Sequence, residues 1–331
     1  MLIVNQQELT RALAMPLAID VMRETLVALD QDQVLQPLRR HLMMPDKRGV
    51  LVMMPSYVGP SSSLGIKVIT AFHGNMGTEF DSHQGAVLLF DAEHGQLLAI
   101  LDATAMTAIR TAAVSAVATD ALARPDASVL AILGSGTQAL SHLEAVTVVR
   151  PISEVRVWSR SPENADRFAR AAAGRFGLGV QAATSVEEAV DGADVICTTT
   201  AAATPILKGE WLTPGAHINA VGSSVPTARE LDGEAVRRSR VFVDRVESAM
   251  NEAGDILMAI QEGSIAADHL SGEIGAVLSG RVSGRRSAEE ITLFKSLGLG
   301  AEDVAGARAA YAECRRLGIG LDVPFGGARH A

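Results

Sequence analysis

The chain has 331 residues, of which 48% are hydrophobic and 20% charged, with a formal net charge of -9 and a pI near 5.4. This length allows two domains of ordinary size, and the apolar fraction is typical of a globular protein with large cores. The acidic balance argues against nucleic acid or an anionic membrane surface as a partner, because either would need a basic face, and it favours a small-molecule ligand.

The cysteines and the N-terminus predict the compartment. Cys197 and Cys314 lie far apart in predicted buried elements and lack metal-ligand spacing, so we expect reduced thiols and predict no metal site. The first residues contain no basic segment followed by an apolar signal core, and no apolar run reaches membrane-spanning length. We therefore expect a cytoplasmic protein with no membrane attachment.

The N-terminal part of the chain reads as an antiparallel sheet with helices. A short strand, Leu2–Val4, precedes a helix at about 15–28 whose apolar residues recur at helical spacing. Apolar segments bounded by Pro, Gly and Ser predict further strands, at 36–43, 49–55, 65–70, 86–91 and 96–101. The last two flank Ala92–Gly95 as a plausible hairpin. An Ala-rich helix at 102–122 then ends before Pro125.

From Ala127 onward, strands alternate with helical or loop crossovers. The predicted strands are 129–133, 155–158, 180–183, 195–199, 218–221 and 241–243. This alternation indicates an α/β fold with a Rossmann doubly wound parallel sheet. A helix at 251–262 closes the repeat, and a last helix at about 301–317 is expected to rejoin the N-terminal domain.

The stretch Leu130-Ala-Ile-Leu-Gly134-Ser-Gly136-Thr-Gln-Ala139 has the form of a strand, a phosphate turn and a helix start. Gly134 permits the tight turn, Gly136 lets the backbone approach a pyrophosphate, and Ala139 lets helix and strand pack closely. An ordinary glycine turn is the alternative, but the surrounding strand–helix repeat favours a dinucleotide site. The candidate cofactor-binding residues here are Gly134, Ser135, Gly136, Thr137, Gln138 and Ala139.

The end of the second strand of this repeat bears on the cofactor. NAD-selective sites usually carry an acidic residue there, whereas this chain has Trp158-Ser159-Arg160-Ser161. A guanidinium and two hydroxyls suit a 2′-phosphate, so NADP(H) is favoured and NAD(H) remains the alternative. Arg160 could instead be an ordinary solvated loop residue. Thr199, at the end of the fourth strand, is a further cofactor candidate or else a loop cap.

Three cations stand in apolar surroundings in the N-terminal domain. Arg39, Lys67 and Arg110 each need a carboxylate from the protein or from a ligand, because an unpaired buried charge is costly. Together they favour an anionic substrate. An arginine would bind a carboxylate bidentately, and a buried lysine could donate a proton.

Several motifs in one order resemble the ornithine cyclodeaminase/mu-crystallin family over nearly the whole chain. They are Gln36-Pro-Leu-Arg39, Met54-Pro55, Gly65-Ile-Lys67, Arg110-Thr-Ala-Ala-Val-Ser, Gly134–Ala139, Ala220-Val-Gly222 and Thr292-Leu-Phe-Lys-Ser-Leu-Gly298. The resemblance implies a homodimer in which a Rossmann domain (123–302) is inserted in an α+β substrate-binding and dimerisation domain (1–122 plus 303–331).

The resemblance also implies roles for single residues. Arg39, Lys67 and Arg110 would hold the substrate carboxylate and the amine or imine nitrogen. Met54 would border the substrate, and Val221 and Ser296 would contact the cofactor.

Ser224 distinguishes between the activities of this family. It stands where cyclodeaminases and alanine dehydrogenases carry an aspartate, and a serine cannot act as a carboxylate base. Ketimine reductases resemble this chain in having serine there. The resemblance therefore implies NAD(P)H-dependent reduction of a cyclic or linear 2-imino acid to an L-amino acid. Lys67 would polarise or protonate the imine nitrogen, and Ser224 would position that nitrogen or a water.

Other readings stay open at this point. Ser224 could be a simple turn residue. An ornithine cyclodeaminase-type lyase using bound NAD, an alanine dehydrogenase-like enzyme, and a non-catalytic protein that binds NADP(H) or a small ligand are the alternatives.

Overall fold

The computed structural model of the chain describes residues 1–75 and 78–326, which form two compact units. Unit 1 comprises Met1–Arg110 and the described residues from Leu299 onward, and unit 2 comprises Thr111–Gly298. The division falls within a continuous helix, Ala103–Leu122. The domain bounds 1–122 with 303–331, and 123–302, stay a proposal. Among the described residues, no helix combines the length and apolar character needed to cross a bilayer.

The helices and strands alternate along the chain in the order expected for two units, one of which interrupts the other. In chain order they are β1 (Leu2–Val4), α1 (Gln6–Ala12), α2 (Met15–Asp30), β2 (Val34–Leu35), β3 (Arg40–Met43), β4 (Val50–Val58), β5 (Ser63–Ala71), β6 (His83–Asp91), β7 (Leu97–Asp102), α3 (Ala103–Leu122), β8 (Val129–Leu133), α4 (Thr137–Val149), β9 (Glu154–Trp158), α5 (Pro162–Phe176), β10 (Val180–Ala182), α6 (Val186–Val190), β11 (Val195–Thr198), β12 (His217–Ala220), α7 (Gly233–Arg238), β13 (Ser239–Val243), α8 (Val246–Glu252), α9 (Gly254–Gln261), β14 (Leu270–Glu273), α10 (Ile274–Leu278), β15 (Ile291–Lys295), α11 (Gly300–Leu317) and β16 (Leu321–Asp322).

Unit 1 is built on one sheet with the strand order β16-β1-β7-β6-β5-β4-β2, and β3 pairs with β4. All neighbours are antiparallel except β1 and β7. Alternate residues of β4 and β5 are buried, as expected for strands with one covered face. Helix α11 packs against β4, β5 and α2. Lys67 belongs to the buried set of β5, so its charge lies inside the unit.

The start of α11 approaches this sheet closely. A Cβ on Gly300 would lie 2.9 Å from the carbonyl oxygen of Met54, and a Cβ on Gly65 would lie 3.0 Å from Cγ2 of Val304. Glycine at these positions lets helix and sheet backbones come together. The first turn of α11 is consequently buried, including its two acidic residues.

Unit 2 is a parallel sheet with the strand order β10-β9-β8-β11-β12-β15-β13-β14. Leu130 and Ile132 of β8 lie in one apolar core, and Ala131 and Leu133 lie in another, so both faces of the sheet are covered. The strand order reverses between β8 and β11, which is where ligands bind in sheets of this type. The predicted α/β fold class with a doubly wound parallel sheet is confirmed.

The C-terminal half of unit 2 differs from the sequence expectations. The helix predicted at 251–262 is two helices, α8 and α9, separated by Ala253 in extended conformation. A Cβ on Gly254 would lie only 1.9 Å from the carbonyl oxygen of Ala228, so a close backbone approach accompanies the break. Strand β15 was not predicted, although all five of its residues are buried. Its polar residues have partners far along the chain, since Thr292 donates to the carbonyl oxygen of Leu122 and Lys295 pairs with Asp255.

Candidate active site

A buried ionic cluster in unit 1 contains Lys67 and Arg110. Nζ of Lys67 lies 2.7 Å from Oδ2 of Asp303, and Nε of Arg110 donates to Oδ1 of the same carboxylate at 3.1 Å. Nη1 of Arg110 donates to Oε2 of Glu302 at 2.9 Å. All four side chains are at most 6% exposed. The structure therefore brings two of the three candidate cations together through one shared aspartate.

Lys67 is poised to exchange a proton near neutral pH. The pKa of Lys67 is lowered to about 8, mainly by burial, with Arg110 and Arg39 also lowering it and Asp303 opposing them. Its ammonium also donates a 3.4 Å hydrogen bond to Oγ1 of Thr107 on α3. An ammonium with this pKa is charged at pH 7 and can give up a proton to a bound base.

Glu302 and Asp303 are the protein carboxylates that pair with Lys67 and Arg110. Both are fully buried in the first turn of α11, where Asp303 pairs with Lys67 and Arg110, and Glu302 pairs with Arg110. Their position was not singled out because acidic residues in a first turn usually serve only the helix dipole.

Arg39 and Met54 are the other two substrate-site candidates in unit 1. Arg39 is half-buried just before β3, close enough to lower the pKa of both Lys67 and His41. Met54 is buried and pairs directly with Lys67 across the β4–β5 ladder. The four substrate residues proposed from the sequence thus lie in one unit, and Arg39 acts on Lys67 by its charge.

In unit 2, Gly134 forms a tight turn after β8. Its φ is +120°, and its N–H donates to the carbonyl oxygen of Trp158 at 2.8 Å. A Cβ at Gly134 would lie 2.7 Å from the carbonyl oxygen of Thr199, which follows β11. Thr199 itself donates through Oγ1 to the carbonyl of Leu133 at 3.1 Å. Gly134 and Thr199 therefore meet where the strand order reverses.

The residues after this turn can accept a phosphate. Gly136 is the N-cap of α4 and provides no side chain to cap the helix, and a Cβ there would meet nothing within 4 Å. Thr137 begins α4, with Gln138 and the fully buried Ala139 behind it in the first turn. An uncapped helix start next to open space leaves backbone N–H groups for an anion. This arrangement fits a dinucleotide pyrophosphate.

The three residues after β9 differ in the hydrogen bonds that their side chains make. Ser159 accepts a 2.9 Å hydrogen bond from Oγ of Ser135, which joins this loop to the phosphate turn. Arg160 is exposed, and its guanidinium makes no hydrogen bond or ion pair within 1–75 and 78–326. Ser161 caps α5 through Asn164 and donates to Glu163 at 2.6 Å. Arg160 is thus available to a ligand, while the hydroxyl of Ser161 already serves its helix.

Three further candidates follow the ends of β12 and β15. The N–H of Val221 donates to the carbonyl of Thr198, and the N–H of Ser296 donates to the carbonyl of Ala220. The hydroxyl of Ser296 is buried and has no hydrogen-bond partner among the described residues. Ser224 is half-buried in the segment after β12, and its hydroxyl makes no hydrogen bond with described residues. Both hydroxyls can therefore bond to a ligand.

A fully buried glutamate that was not predicted connects the ends of β11 and β12. Glu230 accepts hydrogen bonds of 2.6 to 2.7 Å from N–H and Oγ1 of Thr200 on Oε1, and from Oγ1 of Thr198 and N–H of Gly222 on Oε2. Burial and Asp255 raise the pKa of Glu230. Four donors nevertheless satisfy its two oxygens as a carboxylate. Sequence reasoning missed it because its donors lie up to 32 residues away.

We expect a Glu230→Gln variant to lose stability by about 1–3 kcal/mol, because its amide group would face a backbone N–H that cannot turn away. The turns at Thr200 and Gly222 would separate, and cofactor affinity would fall with stability. Thermal unfolding and NADPH titration measure both effects. Glu262→Gln is the control, since its carboxylate pairs with Arg229 at a more exposed site. Equal stability of the two variants would contradict the role of Glu230.

Known proteins resemble this chain over most of its length. A sequence model of the ornithine cyclodeaminase/mu-crystallin family matches residues 1–316. The ketimine reductase mu-crystallin of Mus musculus is 46% identical over 278 residues, which cover 84% of this chain and 85% of that protein.

Two solved structures share the fold. The structure of Thermococcus litoralis Delta(1)-pyrroline-2-carboxylate reductase in complex with NADH and L-proline has a TM-score of 0.95 and 36% identity, covering 98% of this chain and 100% of that chain. An archaeal alanine dehydrogenase dimer with bound NAD has a TM-score of 0.92 and 32% identity, covering 98% and 99%.

Proposed function

This chain belongs to the ornithine cyclodeaminase/mu-crystallin family, and we propose that it is an NAD(P)-dependent oxidoreductase that reduces the C=N bond of a 2-imino acid to give an L-amino acid. A cyclic ketimine such as pyrroline-2-carboxylate is the preferred substrate class. The observation that carries the proposal is the buried cluster in which the Lys67 ammonium lies beside Arg110. The similarity to a ketimine reductase and a pyrroline-2-carboxylate reductase supports it.

The residues of unit 1 match the two polar ends of such a substrate. Arg110 and Arg39 would bind the carboxylate, since a guanidinium can donate two parallel hydrogen bonds to it. Lys67 would donate a proton to the imine nitrogen, which becomes an amine. The nicotinamide cofactor, when bound, supplies the hydride for the imine carbon. Ser224 would position the nitrogen or a water molecule.

Ser224 also argues against the competing activities. Cyclodeamination and oxidative deamination start from an amine, for which a carboxylate base is the ordinary proton acceptor. The described segment after β12 presents a serine hydroxyl at this position. The similarity to an alanine dehydrogenase keeps a reversible amino-acid dehydrogenase as the second candidate.

The preferred cofactor in this proposal is NADP(H), with NAD(H) as the alternative. The exposed Arg160 has no partner among the described residues and can bind a 2′-phosphate. NADH and NAD are bound in the two similar structures, so discrimination between the cofactors needs a direct test. A homodimer and a cytoplasmic location are part of the proposal. The dimer is supported by the archaeal alanine dehydrogenase.

Replacing Arg160 by glutamine should weaken NADPH binding by about 10-fold to 100-fold, the loss expected for one charge-assisted hydrogen bond to phosphate. NADH affinity should stay unchanged, because NADH lacks the 2′-phosphate. Fluorescence titration of both cofactors measures this. Arg170→Gln, an exposed arginine on α5, controls for the lost charge. Equal weakening of NADPH and NADH in the Arg160 variant would contradict the assignment.

The proposed activity is tested by following the absorbance of NADPH and NADH with several substrates. These are pyrroline-2-carboxylate, piperideine-2-carboxylate, and pyruvate with ammonia. Rapid oxidation with a cyclic imine supports the proposal. Activity confined to pyruvate and ammonia would favour the dehydrogenase, and binding of cofactor without any turnover would favour a non-catalytic protein.

A further inference from the structure

We infer that Asp303 is a positioning residue that holds the Lys67 ammonium protonated and fixed in place for proton delivery to the imine nitrogen. This inference rests on the proposed function and deepens it, because it assigns the partner on which the proton donor depends.

Asp303 contacts Lys67 directly, from a position that the packing of α11 holds in place. Its carboxylate is fully buried, with one oxygen 2.7 Å from Nζ of Lys67 and the other 3.1 Å from Nε of Arg110. It lies in the first turn of α11, where the close approach of Gly300 to β4 anchors the helix backbone. The N–H of Ala301 also donates to Oε1 of Gln36 at 3.0 Å. A rigid backbone and a bridging carboxylate together restrict the position of the lysine.

The charged groups around Lys67 come from three places in unit 1, and only one favours its protonated form. Asp303 on α11 raises the pKa of Lys67, whereas burial, Arg110 on α3 and Arg39 before β3 lower it. Among the described residues, Asp303 is the only carboxylate within ion-pair distance of Nζ. Without its charge, a buried amine beside two guanidinium groups would be neutral and could not donate a proton.

The proton transfer balances without any change at Asp303. One N–H bond of the Lys67 ammonium breaks, and a new N–H bond forms on the substrate nitrogen as the imine carbon accepts the hydride. Lys67 is left as a neutral amine and regains a proton from solvent before the next turnover. Asp303 remains a carboxylate throughout and acts only through Lys67.

Glu302 offers a matched control within the same helical turn. Its carboxylate is equally buried and contacts Arg110, but it does not reach Lys67. Glu302→Gln and Asp303→Asn each remove one buried negative charge at nearly constant volume. Only the charge removed in Asp303→Asn contacts Lys67.

The direct test is an NMR titration of the full-length protein with ¹⁵N-labelled lysine side chains. The chain has only four lysines, Lys47, Lys67, Lys208 and Lys295, and a Lys67→Arg variant identifies the signal of interest. Asp303→Asn should lower the pKa of Lys67 by about one to three units, as expected for loss of an adjacent opposite charge. Glu302→Gln should leave that pKa close to the wild-type value. Equal pKa values for Lys67 in the wild type and Asp303→Asn would overturn the inference.

A second variant covers the case in which Asp303→Asn does not fold. Arg110→Met removes the second cation that pairs with Asp303, so that Lys67 is the only cation left beside this carboxylate. It also removes a like charge near Lys67, so the pKa of Lys67 should rise. An unchanged or lowered pKa in this variant would overturn the inference by a separate route. Neither titration needs a substrate, so failure of the proposed function and failure of this inference can be told apart.

Kinetics supply the functional measurement. Because Lys67 must be protonated to donate, kcat/KM for imine reduction should fall as the pH rises through its pKa. In Asp303→Asn this fall in kcat/KM, the alkaline limb of the pH profile, should move to lower pH by the same shift as the pKa in the NMR titration. Glu302→Gln should change KM through Arg110 but leave the alkaline limb at the wild-type pH. A uniform loss of kcat with an unmoved limb would show that Asp303 has a structural role only.

Discussion

A Lys67→Met variant should reduce imino acids about 10²-fold to 10⁴-fold more slowly than the wild type, the usual contribution of a positioned general acid. Methionine has a similar length but no proton to donate. Asp303 keeps its hydrogen bond from Arg110 after the change, so the fold should survive. Steady-state rates with a cyclic imine measure the loss in kcat.

The control for this prediction is Lys208→Met, which removes a half-exposed lysine that pairs with Glu210 in unit 2. It should keep the wild-type rate. NADPH affinity should be the same in both variants, because neither lysine lies in the phosphate turn. A Lys67→Met enzyme with near wild-type kcat would exclude Lys67 as the proton donor, and loss of NADPH binding would point instead to misfolding.

Gly134→Ala should cost about 1–3 kcal/mol of stability, since it places a side chain in backbone geometry that few residues adopt. The φ of +120° is unfavourable for alanine, and its Cβ would lie 2.7 Å from the carbonyl oxygen of Thr199. The ends of β8 and β11 would have to separate. Because the cofactor is expected at this point of the sheet, NADPH affinity should fall at least about tenfold. A tenfold loss corresponds to ~1.4 kcal/mol of binding free energy.

Gly136→Ala separates the effect on stability from the effect on NADPH affinity. Its backbone conformation is ordinary, and a Cβ there meets no protein atom within 4 Å, so stability should change by no more than about 0.5 kcal/mol. The added methyl group would instead obstruct the approach of a pyrophosphate to the backbone. Thermal unfolding and NADPH titration of the two variants should therefore give different patterns. Unchanged NADPH affinity in Gly136→Ala would place the phosphates elsewhere.

The sequence predicted those features that follow from local patterns. Parallel strands appear as short apolar runs, and the turn of Gly134 and Gly136 lies directly between a strand and a helix. Lys67 and Arg110 stand out because a charge in an apolar run needs a partner. The identity of that partner could not be predicted, since Arg110 and Asp303 are 193 residues apart and meet only through the packing of α11 on the sheet.

Contacts between residues far apart in sequence also explain the other features that the sequence did not predict. Glu230 lies in a turn, and nothing near it in sequence shows that it accepts four hydrogen bonds from the ends of two strands. Strand β15 contains Lys295, which resembles a surface residue until its buried partner Asp255 is known. The break before Gly254 depends on the backbone at Ala228. Long-range pairing determines each of these features.

The transfer of deuterium from NADPH labelled at C4 to the product tests the central claim most directly. With a cyclic imino acid as substrate, we expect an L-amino acid carrying deuterium at its C2 carbon, formed in equal amount to the NADPH consumed. Ornithine should release no ammonia under the same conditions. Ammonia release from ornithine without net cofactor oxidation, and no labelled amino acid from the imine, would contradict imine reduction and identify a cyclodeaminase.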